Sequence, residues 1–446
     1  MNPNAAKRTP PSLSSTRTPV DAVFSKINRR ILPVLLLAYM IAYLDRINIG
    51  YAQLQMKHTL PWGEAVYGLG AGIFFIGYFL FEVPSNLLLE KFGARRTLLR
   101  IMVLWGIVAT AILFVRTPAE FYLARFLLGT FEAGFFPGVI LYFTYWYPPA
   151  RRGQAIAIFM SATTIVGVIA GPLCGAILKY LDGVNGWHGW QWLYLLEGLP
   201  ALPAGLLLYL LLDDKAADAA WLSPAEKALL RDSLAQGIAQ TAGGQASTRT
   251  QLLRDPRIWL LSFVYFLLLG ATYMIVFWMP TLIQSWGLKD VLVVSLLTTI
   301  PNACGIVGMI VLGRRSDRRR ERQRHFAASV MIAAAGLWVT TLLHGNLPGS
   351  LAALSFGAIG IAAATPLFFA LVSESLPASK AAAGIALISS LGNLGPAISP
   401  SLNGLIVQHT GNAVYSMYLV VVMYIAAGLV LLITKRTAQP YPQHAG

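Results

Sequence analysis

Charged residues are scarce in this sequence. Of its 446 residues, only 12% are Asp, Glu, Lys or Arg, about half the fraction that is typical of soluble globular proteins, whereas 56% are hydrophobic. This composition excludes an ordinary soluble domain and predicts a polytopic membrane protein. The net charge of +15 is compatible with nucleic-acid binding, so the positions of the basic residues along the chain have to decide.

Cysteine and the common catalytic motifs are nearly absent. Cys174 and Cys304 lie inside apolar segments without a CxxC or a neighbouring His, which argues against a disulfide or a metal site. No nucleophile elbow, Walker A loop or HExxH motif occurs, so an enzyme, direct ATP driving and a bound cofactor are not predicted. The glycine-rich stretch 68–72 lies in an apolar segment and, like 167–171 and 171–175, predicts close helix packing.

Apolar runs long enough to cross a bilayer recur along the chain. They cover residues 31–52, 66–89, 98–115, 120–145, 154–179, 192–212, 257–284, 291–312, 326–344, 350–374, 381–407 and 413–434. We therefore predict an all-α protein with twelve transmembrane helices. The predicted organisation is a disordered tail (1–25), a six-helix domain (26–212), a central connection (213–256), a second six-helix domain (257–434) and a C-terminal tail (435–446).

The positions of Lys and Arg predict the orientation. With the N-terminus inside, 28 of the 34 basic residues fall on the cytoplasmic side and only four, Lys57, Arg116, Lys179 and Lys289, on the outer side. This imbalance predicts cytoplasmic termini in the plasma (inner) membrane. It also explains the positive charge, so nucleic acid is not an expected partner.

Two landmarks indicate an internal duplication. EKFGARR (90–96) has a counterpart in DRRRERQ (317–323) at an offset of 227 residues, and VGVIAGP (166–172) matches LGPAISP (394–400) at 228. Six-helix repeats are a common plan among transporters. In the central connection, SPAEKALL predicts an amphipathic surface helix, in which Ser223 and Glu226 form a capping box.

Four ionisable residues interrupt the apolar spans of the first half. Asp45 and Arg46 lie near the end of the first span, and Arg125 and Glu132 lie two turns apart on the fourth. At about 1.5 Å per residue, Asp45, Arg46 and Arg125 reach a similar depth. Adjacent residues point about 100° apart, so Asp45 and Arg46 cannot face the same way. We expect a functional site, although a structural network that pairs Asp45 with Arg125, or Arg46 with Glu132, is the alternative.

Several stretches of the sequence match known transporter motifs. NLLLEKFGARR (86–96), with Glu90 where Asp is usual, and GRRSDRRRER (313–322) resemble the paired loop signatures of the major facilitator superfamily. More specific are YLDRINIGYA (43–52), GYFLFEVPSNLLLEKFG (77–93), RFLLGTFEAGFFPG (125–138), WLYLLEGLPA (192–201) and GIALISSLGNLGP (384–396). Together these stretches resemble the anion:cation symporter family, which includes galactonate, glucarate, tartrate and phthalate permeases. The resemblance covers about residues 25–435.

The resemblance implies a secondary transporter that imports a small organic anion with protons by alternating access. It implies that Asp45 and Glu132 carry protons and that Arg46 and Arg125 bind the anion. The expected partners are that anion, protons and the lipid bilayer, with the monomer as the functional unit. An uncoupled anion exchanger or uniporter remains the alternative, and a membrane-embedded enzyme or a sensor is a more distant one. Sugar acids, tartrate-like diacids and aromatic acids all satisfy two arginines.

Other residues are predicted from their depth or from the resemblance. Tyr78 and Asn393 fall about 18 Å into their spans and Tyr43 lies one turn from Arg46, so all three are substrate-contact candidates. Weaker candidates are Asn302, Thr163, Tyr273 and Trp278. Glu82 is interpreted as structural or gating, and Glu197 as structural near a helix N-terminus. The resemblance implies a conformational latch between the two domains, formed by Glu90, Arg95, Arg96, Asp317 and Arg318; anchoring of these loops to anionic lipid is the alternative.

Overall fold

The computed structural model describes residues 19–241, 254–319, 321–343, 346–376 and 378–437. Within these residues, all regular structure is helical, and twelve segments are long and apolar enough to cross a membrane. We call them spans 1 to 12: Pro19–Thr59, Glu64–Phe92, Ala94–Phe114, Pro118–Trp146, Pro149–Tyr180, Gly189–Leu211, Pro256–Gln284, Val291–Arg319, Arg322–Leu342, Leu347–Ser375, Ala383–Thr410 and Val414–Leu432. The predicted fold class is therefore confirmed.

Four of the spans in the described part of the chain consist of two consecutive helices. These pairs are Pro19–Ile47 with Ile49–Thr59, Pro118–Glu132 with Phe135–Trp146, Gly189–Gly198 with Ala201–Leu211, and Ala378–Gly392 with Leu394–Thr410. Span 3 is the helix Ala94–Ala111 followed by a 3-10 turn, Ile112–Phe114, and the last helix extends from Val414 to Thr437. The predicted C-terminal tail is thus helical at its start, and its remainder lies outside the described residues.

Span 1 begins well before the apolar run that predicted it. The sequence predicted a disordered tail over residues 1–25, but the helix starts at Pro19. Phe24 and Ile27 form its buried face, while Lys26 is exposed. An amphipathic turn of this kind has too low a mean hydropathy to be recognised as part of a span. The predicted tail boundary is wrong by at least seven residues, and the rest of that tail lies outside the described residues.

We call spans 1–6 the N-terminal half and spans 7–12 the C-terminal half; two pairs of closely packed helices join one to the other. Span 2 packs on span 11, and span 5 on span 8. A side-chain Cβ at Gly72 would lie 2.8 Å from the Ser401 hydroxyl, and one at Gly175 would lie 2.6 Å from the Ser295 Cβ. The prediction that these glycine-rich stretches serve close helix packing is confirmed.

Polar contacts between the halves lie on the side of the bundle opposite the ends of the chain. Lys57 Nζ donates to Gln284 Oε1 at 2.6 Å, and the Thr281 hydroxyl donates to Gln53 at 3.1 Å. We call this the far side, and the side on which span 1 begins the termini side. The halves are therefore joined at the far side.

The central connection contains the predicted helix, Pro224–Thr241. Ser223 Oγ accepts from the Glu226 backbone N–H at 3.2 Å, and the Glu226 carboxylate accepts from the Ser223 N–H at 2.7 Å, so the capping box is confirmed. Glu226 also pairs with Lys26 of span 1 at 2.9 Å. The pKa of Glu226 is lowered by the Ser223 N–H and by Lys26. Residues 242–253 of this connection lie outside the described residues.

Candidate functional site

The interruption of spans 1 and 4 places the first group of ionisable side chains. Asp45 and Arg46 precede Asn48, at which span 1 changes from one helix to the next. Glu132 is the last residue of its helix, and Gly134, two residues later, has a φ of 88°, in the left-handed region that favours glycine. Non-helical backbone inside a membrane is tolerated where it is buried in protein. Both interruptions bring a carboxyl group into the middle of the N-terminal half.

Arg46 and Glu132 form a buried ion pair. Arg46 Nε donates to Glu132 Oε1 at 3.1 Å, and Arg46 Nη2 donates to the same oxygen. The Glu132 side chain is 1% exposed, whereas that of Arg46 is 12% exposed. The second Glu132 oxygen, Oε2, has no hydrogen-bond partner within the described residues. Of the two structural pairs proposed from the sequence, the one between Arg46 and Glu132 is present.

Aromatic side chains surround the Arg46 guanidinium. Its Cζ lies 5.6 Å from the ring centroid of Phe74 and 5.4 Å from that of Tyr78, distances at which cations are attracted to ring faces. Arg46 Nη1 also donates to the Tyr273 hydroxyl of span 7 at 3.3 Å. Arg46 is thus in direct contact with both halves. The sequence ranked Tyr273 among the weaker candidates because an isolated aromatic residue usually serves packing.

Asp45 points away from Arg46, as the predicted angle between adjacent residues requires. Its Oδ1 accepts from Asn48 Nδ2 at 3.0 Å, and its Oδ2 accepts from the Trp105 indole N–H of span 3. The carboxyl group is 1% exposed. Asp45 therefore lies inside the N-terminal half and not on the surface that faces the other half.

Arg125 is fully buried and only partly satisfied. Its Nε donates to the Gly70 carbonyl at 3.1 Å, and its Cζ lies 4.9 Å from the Phe74 ring centroid. Neither Nη1 nor Nη2 has a hydrogen-bond partner within the described residues. Phe74 lies against both guanidinium groups, Arg46 and Arg125. A guanidinium with two unused nitrogens retains the capacity to bind a carboxylate.

The other predicted contact residues are distributed less closely. Tyr78 contacts Arg46 through its ring, and Tyr43 is near enough to Arg46 for electrostatic interaction. Asn393 is half-buried at the interruption of span 11. In the described part of the chain, no contact joins it to Arg46. Among the weaker candidates, Asn302 and Thr163 donate to backbone carbonyls of their own helices. Trp278 packs edge-on against Tyr67 at 4.8 Å.

Glu197 corrects the sequence interpretation. It was placed near the N-terminus of span 6, but it is the next-to-last residue of the helix Gly189–Gly198. Its side chain is buried, and Oε1 accepts from the Cys174 thiol at 3.2 Å. Helix-terminus stabilisation is therefore not its role. The signal that could have found it is the Pro200 that follows, because a proline ends the helix beside the carboxyl group.

The predicted latch residues make no contact across the halves in the described part of the chain. Arg95 donates to the Tyr209 carbonyl at 2.7 Å, and its backbone N–H donates to Asp214, both within the N-terminal half. Asp317 pairs with Arg322 inside the C-terminal half. Glu90, Arg96 and Arg318 are exposed. Because the halves are joined at the far side, a latch on the termini side stays a prediction for another conformation.

The chain was compared with known protein families and with solved structures. The Major Facilitator Superfamily model matches residues 35–400, with a second match over 290–445. In fold, the chain resembles an inward-facing, occupied bacterial homologue of the human lysosomal transporter Spinster (TM-score 0.73, 17% identity, 93% of this chain and 99% of that chain). It also resembles the partially occluded, inward-open xylose transporter XylE of E. coli (TM-score 0.73, 14% identity, 95% and 99%).

Relatives of similar length are considerably closer in sequence. The putative metabolite transport protein NicT of Pseudomonas putida is 42% identical over 392 residues, which are 88% of this chain and 90% of that protein. A putative tartrate transporter of Agrobacterium vitis is 40% identical, with 95% and 96% covered. A quinolone resistance transporter of Acinetobacter baumannii is 39% identical, with 92% and 94% covered. The chain is a multi-pass membrane transporter and not an enzyme, and it belongs to the Major Facilitator Superfamily.

Proposed function

We propose that the protein imports a small organic anion together with protons by alternating access between its two halves. The observation that carries this proposal is the ion pair between Arg46 and Glu132, together with the bond from Arg46 to Tyr273. One guanidinium thereby contacts an acidic group of its own half and a hydroxyl of the other half. It is also the more exposed partner of the pair.

The chemistry of this pair supports proton coupling. While Glu132 is ionised it occupies Arg46, so an incoming carboxylate must compete with an internal one for the same donors. Protonation of Glu132 removes that competitor and leaves Arg46 with an unpaired positive charge. Proton and anion then stabilise each other's binding, which is the reciprocal relation that symport requires. Asp45 and Arg125 lie in the same buried region. We propose for them the roles that the family resemblance implies, proton transfer for Asp45 and anion binding for Arg125.

The proposed direction of transport depends on which side of the membrane the termini side faces. With cytoplasmic termini in the inner membrane, as the distribution of Lys and Arg predicts, the termini side faces the cytoplasm. The structure, joined at its far side, is then the inward-facing state. Glu90, Arg95, Arg96, Asp317 and Arg318 are proposed to pair across the halves when the termini side closes.

The substrate is proposed to carry at least one carboxylate. Arginine suits carboxylate recognition because of its planar, forked donors, and the relative named as a putative tartrate transporter fits an organic acid. Tyr78 and Tyr273 offer both ring faces and hydroxyl groups beside Arg46. This lining suits an aromatic acid as well as a hydroxy acid, so both classes belong in the test.

The test is uptake into proteoliposomes of labelled tartrate, a hexonate and benzoate, with and without an inward proton gradient. Accumulation of one acid only when the gradient is present supports the proposal and identifies the substrate class. Equilibration of an acid without any response to the gradient refutes proton coupling and supports the uniporter or exchanger instead. Liposomes without protein control for passive entry of the neutral acids.

A further inference from the structure

We propose that Glu197 is a further proton-coupling residue, which shares one exchangeable proton with Asp45 at a site organised by Asn48. This site is separate from the pair formed by Arg46 and Glu132. The inference rests on the proposed proton-coupled transport and deepens it, because it assigns a function to a carboxyl group that the sequence pattern left as structural.

Contacts from three spans hold the two acids near each other. Asn48 donates to Asp45 at 3.0 Å and also lies beside Glu197. Asp45 and Glu197 are close enough to interact electrostatically. Cys174 of span 5 donates its thiol to Glu197 at 3.2 Å, and Trp105 of span 3 donates to Asp45. Asp45, Asn48 and Glu197 are 1%, 0% and 3% exposed, so water contributes little to their solvation.

The donors that surround the two acids are all uncharged. An indole, an amide and a thiol stabilise a carboxylate less than a guanidinium does. The charged groups around this region are Arg46 on span 1 and Arg125 and Glu132 on span 4. Two phenols, Tyr51 on span 1 and Tyr194 on span 6, also lie near Glu197. Arg46 is already paired with Glu132. Among the residues that the structure describes, that leaves Arg125 as the one cation available to two carboxyl groups.

The charge balance of the buried region therefore requires a proton. It contains three carboxyl groups (Asp45, Glu132 and Glu197) and two guanidinium groups (Arg46 and Arg125). With every group ionised, the region carries one uncompensated negative charge, which is strongly disfavoured away from water. One bound proton makes it neutral. Because Glu132 has a direct cationic partner, the proton belongs to Asp45 and Glu197.

The hydrogen-bond inventory agrees with a bound proton. Glu197 Oε2 is buried without a partner, and so is Asn48 Oδ1, within the described residues. A carboxylic acid adds one O–H donor that a carboxylate lacks. Two adjacent side chains therefore each have an acceptor oxygen without a donor, which is the deficit that one proton reduces.

The position of Asn48 connects this site to the contact between the halves. Arg46 lies two residues before it, and Tyr51 three residues after it bonds to Thr298 of span 8 at 2.9 Å. Gly50 lies against the Phe277 backbone of span 7, where an added Cβ would be 2.8 Å from the carbonyl oxygen. A change of protonation beside Asn48 thus acts on the backbone segment that carries both the anion-binding arginine and the far-side contact.

The test compares Glu197→Gln and Cys174→Ala with the wild type and with Asp232→Asn, which changes an exposed carboxyl group on the helix of the central connection. Each protein is reconstituted in proteoliposomes, with labelled tartrate and labelled benzoate as probes, and uptake is measured against pH. Infrared difference spectra between acid and alkaline buffer record protonated carboxyl groups without any substrate. Circular dichroism and gel filtration show whether each variant is folded.

The two variants are expected to shift the pH profile in opposite directions. In Glu197→Gln the region is neutral with Asp45 ionised, so proton binding creates a charge instead of removing one. Half-maximal uptake then moves to lower pH by about one unit, and the protonated-carboxyl band weakens. Cys174→Ala removes a donor to ionised Glu197, so half-maximal uptake moves to higher pH by a few tenths of a unit. Asp232→Asn leaves the profile unchanged.

Two different failures can be told apart. If wild-type uptake ignores both pH and the gradient, the proposed proton coupling is refuted and this inference falls with it. If the wild type is coupled, while folded Glu197→Gln and Cys174→Ala keep its pH profile and its infrared band, then Glu197 is structural and the inference alone is refuted. Should Glu197→Gln not fold, the alkaline shift of Cys174→Ala and the wild-type infrared band still decide.

Discussion

Replacing Glu132 by Gln tests the competition that the proposed mechanism requires. In the structure, Arg46 donates two hydrogen bonds to one oxygen of Glu132, and the other oxygen has no partner in the described chain. The amide oxygen of Gln can take the place of the bonded oxygen, so the variant removes the charge while it keeps the shape. We therefore expect Glu132→Gln to fold and to bind the anion as the wild type does when Glu132 is protonated.

The size of the effect follows from the two bonds. In the wild type both partners of each bond are charged, whereas in the variant only Arg46 is. Hydrogen bonds to charged groups contribute about 1.5–3 kcal/mol, so the change moves each bond from the upper toward the lower end of that range, a loss of about 1–1.5 kcal/mol. Two bonds make about 2–3 kcal/mol, which is roughly a 30- to 150-fold change in an equilibrium constant. In alkaline buffer, where wild-type Glu132 competes for Arg46, the variant should bind the anion tighter by about this factor.

The assay is equilibrium binding of the transported acid to purified protein, in acid and in alkaline buffer, followed by transport in proteoliposomes. Glu132→Gln should show a smaller difference in binding between the two pH values than the wild type, exchange anion across the membrane, and lose most of the accumulation driven by a proton gradient. Arg46→Ala should lose both exchange and accumulation. The reasoning is refuted if Glu132→Gln binds no tighter than wild type in alkaline buffer, or if exchange and accumulation disappear together although the variant is folded.

Three further changes test other contacts. Tyr273→Phe removes the 3.3 Å bond from Arg46 to the C-terminal half and should weaken anion binding by a few fold without altering proton coupling, as binding titrations at two pH values would show. The pKa of Asp290 is lowered by its bond to Lys179 across the far side. This contact stabilises the joined halves at neutral pH and is lost as the pH falls through that lowered pKa, so the far side should open in acid. Asp290→Asn should abolish this acid-dependent opening, which cysteine labelling at the far side would detect. Gly72→Val inserts atoms where even a Cβ lies 2.8 Å from Ser401 and should hold the far side open, which the same labelling would detect as high accessibility at every pH.

The positions of the spans could be read from the sequence because hydropathy is a local property. Span 7 was predicted at 257–284 and is found at Pro256–Gln284, since its residues are apolar throughout. Span 1 was predicted to begin twelve residues too late, because its first turns are amphipathic and their buried face is visible only in the packed structure. Length and apolar character predict where a membrane is crossed, whereas packing decides where a helix starts.

The candidate site was predicted in its members and only partly in its pairing. Depth and helical angle placed Arg46 and Glu132 in one region and separated Asp45 from Arg46, because both follow from helix geometry. They could not predict that Arg46 reaches Tyr273, since that contact joins halves separated by more than two hundred residues. Nor could they place Glu197 beside Asp45, because rotation of one span relative to another is set by packing.

The buried acidic side chains of the N-terminal half occur where its spans are interrupted. Asp45 and Arg46 precede the interruption at Asn48. Glu132 is the last residue of its helix, and Glu197 lies one residue before the end of another helix. Where a helix is interrupted, backbone groups lose their usual partners and side chains can approach from a neighbouring span. A buried acid at such a position is therefore coupled to a segment that can bend. Protonation there changes both the charge of the site and the balance between two backbone arrangements, so one event can influence anion binding and the contact between the halves.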